Sequence, residues 1–92
     1  MNKTIRTKSN EEHAILAAEL SRLRVKAGLS IRELGRRIDH HHNYVYRVEN
    51  GRGYVDFASM RAWIEATGND FVEVMANVDA ECKKLKDLKK NP

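Results

Sequence analysis

Apolar residues recur along the chain at intervals of three and four, the spacing of helices with one buried face, and the alternation expected of strands is missing. Leu16, Leu20, Leu23 and Ala27 form the first stripe. A Ser-x-x-Glu capping box at Ser9 and Glu12 precedes it and Gly28 follows it, which predicts a helix opening at Ser9 and closing before Gly28. A second box, Ser30 with Glu33, opens a short helix that turns Leu34 and Ile38 inward. A third segment, about 41–49, turns Val45 and Val48 inward and stops at Asn50-Gly51, both suited to left-handed backbone. Asp56 is placed to cap a fourth helix with Phe57, Met60, Trp63 and Ile64 on its apolar side, ended by Gly68. Asp70 with Glu73 opens a fifth, whose Phe71, Val74, Met75 and Val78 make contacts. The expected fold is all-α, five helices joined by short connections.

A length of 92 residues is enough for one small core and leaves no room for separate cofactor and substrate halves. With 41% hydrophobic and 33% charged residues, the balance is that of a soluble globular domain. No apolar stretch is long enough to span a bilayer and the N-terminus lacks the apolar run of a signal peptide, so the expectation is a cytoplasmic protein with no membrane partner. Cys82 stands alone, which rules out an internal disulfide. His40, His41 and His42 are consecutive, and helical neighbours point about 100° apart, so they do not converge on one ion and no metal site is expected. Trp63 is expected in the core. Ser, His and Asp occur without a nucleophile elbow, paired carboxylates or a glycine-rich phosphate loop, so neither an enzyme nor a cofactor is expected.

Charge is distributed in blocks. Residues 22–52 hold eight Arg/Lys against three Asp/Glu, residues 53–81 one Arg against six acids, and residues 82–92 five Lys against one Asp. The net charge of +4 therefore conceals a basic middle beside an acidic C-terminal half, as in a protein with one face built to meet a polyanion.

The basic block contains the most specific motif, S-I-R-E-L-G-R-R-I-D-H-H-H-N-Y-V-Y-R-V-E-N-G from Ser30 to Gly51. Two short helices with a tight turn between them, Leu34, Ile38, Val45 and Val48 facing inward and Gly35 at their close approach, read as a helix-turn-helix. Gly28-Leu29-Ser30, Glu33-Leu34, Tyr44-Val45, Arg47-Val48 and Glu49-Asn50-Gly51 resemble the lambda-repressor-like (XRE/Cro-type) family of regulators, loosely as far as Met75. The resemblance implies a five-helix domain with an extended C-terminal helix that binds duplex DNA through the helix at about 41–49. It places base-reading residues at His41, His42, Asn43, Tyr46 and Arg47, and phosphate contacts at Ser30, Arg32, Tyr44, Asn50 and Arg52. Side-chain chemistry agrees, since Asn pairs bidentately with adenine and Arg with guanine. Arg24 and Glu49 match a family ion pair bracing the first helix against the third.

Three positions depart from the family pattern. Ile31 stands where Gln contacts phosphate, Asp39 stands for a turn glycine and is expected in left-handed backbone, and His41 stands for a capping Ser, which is the better cap. The expected organisation is a flexible arm over 1–9, the DNA-binding domain over 10–78 with its helix-turn-helix at about 30–49, and a helical extension with a Lys-rich tail over 79–92. Phe71, Val74, Val78, Leu85 and Leu88 form a rough heptad stripe expected at a homodimer interface. The function implied is a dimeric repressor reading a palindromic operator. The alternative is an antitoxin or another interaction module using the same fold to bind a partner protein.

Overall fold

A computed structural model of the chain describes the backbone of residues 3–90 and the side chains of residues 11–88. Its helices are α1 (Lys3–Lys26), α2 (Ile31–Arg37), α3 (His42–Glu49), α4 (Phe57–Ala66) and α5 (Phe71–Lys90). The described residues contain no strand, and the fold is all-α with five helices. No described helix is long and apolar enough to cross a membrane.

The ends of the helices follow local chemistry. Ser30 accepts a hydrogen bond from the Glu33 amide at 3.0 Å while its own amide donates to Glu33 Oε1 at 2.8 Å, completing the expected capping box. Asp56 and Asp70 accept from the amides of Ser59 and Glu73, capping α4 and α5. The α1 backbone is already helical before Ser9, so the Ser9–Glu12 pair does not mark a helix start. The arm residues Lys3, Arg6 and Lys8, and Lys89 and Lys90 of the tail, have side chains outside the described set.

Four of the helices close in the same way. After α1, α3 and α4 the chain turns through Gly28, Gly51 and Gly68 at positive φ. After α2 the equivalent residue is Asp39, with φ 60°, as expected of a residue standing for the family's turn glycine. There the His40 amide bonds back to the Gly35 carbonyl at 2.8 Å and the Asp39 amide to Arg36 at 3.3 Å, the paired bonds of a Schellman closure. Asn50, also expected to suit left-handed backbone, instead has φ −95° as the C-cap of α3, and Gly51 alone makes the reversal.

The core joins all five helices. Leu20, Leu23, Leu34, Ile38, Val45, Val48, Trp63, Ile64 and Val74 are buried together. The Trp63 indole donates to the Leu20 carbonyl at 3.1 Å, which satisfies the polar atom of the largest core side chain. In α1 the buried alanine is Ala17, while Ala27, expected inward, is exposed because α1 ends at Lys26 and Ala27 lies in the turn that follows. Phe57 likewise corrects the α4 expectation. It opens the helix, is 61% exposed, and meets the edge of Phe71 at a centroid distance of 5.4 Å.

Candidate nucleic-acid interface

The α2–α3 pair is held by residues that the local pattern turns inward. Leu34 and Val45 are fully buried, Val48 nearly so, and Ile38, the C-cap of α2, is buried with them. Gly35 is required at their crossing: a Cβ there would lie 2.8 Å from the His40 carbonyl oxygen and 3.4 Å from the His42 Cα. At the far end of α3, Glu49 receives Arg24 Nε at 2.6 Å, Arg24 Nη2 at 3.0 Å and the Ser21 hydroxyl at 3.0 Å. Arg24 Nη1 also donates to the Leu29 carbonyl at 2.7 Å. This network, mostly shielded from solvent, ties α3 to α1 at the expected ion pair.

With Val45 and Val48 committed to the core, the opposite face of α3 is free. Asn43, Tyr46 and Arg47 are exposed there, one helical turn apart, and His41 is exposed at its start. His42 is half-buried and stacks on His41 with ring centroids 4.2 Å apart. Its titration is pushed below the ordinary histidine range by burial first, then by the charges of Arg32 and His41. His41 Nδ1 accepts the Asn43 amide at 3.1 Å, so His41 is the N-cap of α3.

The expected phosphate-contacting positions divide. Arg32 and Arg52 are exposed. Ser30 is exposed with its hydroxyl engaged in the capping box, and Asn50 is exposed with its amide donating to the Tyr46 carbonyl at 2.8 Å. Tyr44 is turned inward. Its ring stacks on His40 at 3.9 Å, and its hydroxyl is sealed from solvent without a partner, so that oxygen does not reach outward in this conformation. His40 also points into the fold, with Nε2 2.8 Å from the Ser59 hydroxyl, which donates to Asp56 at 3.1 Å.

Two features lay outside the sequence reading. Arg36 joins Arg32, His40, His41 and His42 around a cleft of ≈ 270 Å³ beside the start of α3. The four-residue spacing of Arg32 and Arg36 on α2 is the signal that pairs them. His13 of α1 lies 3.0 Å from the Gly53 carbonyl and packs on the Tyr54 ring, bordering Arg52; contacts across forty residues leave no local trace.

The expected dimer stripe on α5 is also divided. Val74 is 3% exposed within its own chain's core, and Phe71 and Val78 pack against that core. These three are turned inward because the first half of α5 lies against α1 and α4. Leu85, half-buried, and Leu88, 74% exposed, remain on the extension. Cys82 is half-buried, and burial raises its thiol above the ordinary range, the opposite of an activated nucleophile.

The sequence profile of the family described as "Helix-turn-helix domain" matches residues 15–75, a span that holds α2, α3, α4 and the buried cluster from Leu20 to Val74. Among curated proteins none matches the chain. In solved structures the fold is similar to two crystal structures of the clp gene regulator ClgR from Corynebacterium glutamicum. One has a TM-score of 0.73 at 20% identity, covering 86% of this chain and 84% of the other. The second has a TM-score of 0.67 at 23% identity, covering 75% and 88%. At these identities the likeness is one of fold.

Proposed function

The chain belongs to the helix-turn-helix domain family, and from that premise we propose that it is a sequence-specific, duplex-DNA-binding transcriptional regulator of the lambda-repressor-like type. The observation that carries this reading is the polar outer face of α3. Asn43, Tyr46 and Arg47 project from a helix whose other face is locked by Val45 and Val48. A rigid helix with free Asn and Arg side chains is what base-edge reading in the major groove requires. Arg32 and Arg36 on one flank, and Arg52 beyond the C-terminal end of α3, supply cations for the phosphates on either side. His41 and His42 stand at the leading end, where the helix enters the groove.

The regulator acts as a homodimer, with two copies of α3 about 34 Å apart in successive major grooves of a palindromic operator. Leu85 and Leu88 on the α5 extension are the members of the stripe still available to a second copy. Repression by obstructing polymerase is the simplest output, in the cytoplasm and without a cofactor. A second reading, a module that binds a partner protein as an antitoxin does, draws on the exposed Phe57 and Val72 among the acids of α4 and α5.

The test is fluorescence anisotropy on the DNA upstream of the protein's own gene, against scrambled duplex, across a salt series. Binding to the native fragment that persists at physiological salt supports the reading. Equal, weak binding to both fragments that falls steeply with salt refutes it and leaves generic phosphate attraction.

A further inference from the structure

The caps of α2, α4 and α5 rest on a hydroxyl and two carboxylates, those of Ser30, Asp56 and Asp70. The cap of α3 rests on an imidazole nitrogen. His41 adopts the extended backbone of an N-cap, φ −67° and ψ 147°, and its Nδ1 accepts the Asn43 amide at 3.1 Å. Accepting requires a lone pair on Nδ1, so the capping form is the neutral imidazole with its proton on Nε2. A second proton enters at that same lone pair. The capping bond is then lost and two N–H groups face each other. Histidine changes charge between about pH 5 and 8, whereas hydroxyl and carboxylate caps are unaffected there.

We propose that His41 is a proton-sensitive positioning residue: as a neutral imidazole it caps α3 and holds Asn43 in place, and on protonation it releases the first turn of that helix. Its consequence for operator reading rests on the function proposed above; the capping switch itself does not.

The charges around His41 oppose a protonated imidazole in the capping position. His42 stacks on it at 4.2 Å, and Arg32 and Arg36 of α2 line the same cleft. The opposing anions are Asp39, exposed in the turn, and Asp56 of α4, which holds Ser59 and faces His40. From α1, Arg24 is engaged with Glu49 at the other end of α3. A new positive charge on His41 thus meets three neighbouring groups that are cationic or become so. His40 behaves differently. The Ser59 hydroxyl proton goes to Asp56, so His40 Nε2 is a donor, and a second proton on the other nitrogen leaves the Ser59 bond in place.

The experiment compares thermal unfolding of the full chain, without DNA, at pH 8 and pH 5.5 for wild type, H41S and H41A. Ser caps at both pH values and Ala at neither. At pH 8 the folded-to-unfolded ratio of wild type should exceed that of H41A by about fivefold, the usual effect of one cap. At pH 5.5 that advantage should fall below about twofold, while H41S keeps its own advantage over H41A at both. An unchanged gap between wild type and H41A overturns the proposal, as does a proton on His41 Nδ1 at pH 8 in imidazole ¹⁵N spectra. Since no DNA is present, failure to bind an operator would refute the proposed function and leave this result standing.

Discussion

Removing Arg24 while retaining Glu49 is the most informative perturbation of the scaffold. Glu49 sits at the C-terminal end of α3, where the helix dipole disfavours a carboxylate, and its side chain is 7% exposed. Arg24, 14% exposed, offsets both costs through two bonds to that carboxylate and a third to the Leu29 carbonyl. In Arg24→Met the aliphatic stem still packs, but Glu49 keeps only the Ser21 hydroxyl and the Leu29 carbonyl loses its donor. Breaking a buried pair from one side costs about 3–5 kcal/mol, and the bond from Ser21 argues for the lower end, about 3 kcal/mol. For a domain of this size urea m-values are about 1–1.5 kcal/mol/M, so the midpoint followed by circular dichroism should fall by about 2–3 M. The double variant R24M/E49L removes both charges and should recover most of that loss. A loss below about 1 kcal/mol for R24M, the level of an exposed pair, would refute the account of a shielded brace.

Three further outcomes are expected. Gly35→Ala ordinarily gains about 1 kcal/mol in a helix, but here the added Cβ meets the His40 carbonyl at 2.8 Å, so the net effect should be a loss of about 1–3 kcal/mol; an equal or higher Tm contradicts this. Hydrogen bonds from Ser30 hold Glu33, and those from Ser59 hold Asp56, below the usual carboxylate range. Their stabilisation is therefore complete above the unfolded values, about 3.9–4.3, and is lost as pH falls through the lower folded values. Asp56→Ser, a neutral cap, should flatten the fall in Tm between pH 5 and 3, and an acid limb as steep as wild type would count against it. Arg47→Ala should weaken specific DNA binding by about 1–3 kcal/mol and relax preference at one base position; an unchanged binding profile removes Arg47 from the reading face.

Much of the fold is legible in the chain because its signals act over a few residues. Capping pairs such as Ser30–Glu33 and Asp70–Glu73, and reversals such as Gly28 and Gly51, are chosen by bonds within one turn. Asp39 is placed in left-handed backbone by the family resemblance, where it stands for the turn glycine, and Gly35 at a close approach by the local pattern, since the turn and both short helices lie within about twenty residues. The polar face of α3 follows as well, once Val45 and Val48 are assigned inward.

What periodicity leaves undecided is which partner each face meets. Phe57 and Val74 both belong to apolar stripes, yet one is 61% exposed and the other 3%, because α1 and α4 cover the second and nothing among the described residues fully covers the first. Consecutive histidines on equal terms in the sequence take different roles: His40 reaches Ser59 on α4, His41 caps α3, and His42 stacks beside it under the charge of Arg32. Tyr44 turns its hydroxyl inward, and His13 finds Gly53 from forty residues away. Most helix ends are local properties of this chain, the start of α1 ahead of Ser9 being the exception. The surroundings of each face depend on how helices distant in sequence pack, and only the tertiary structure decided them.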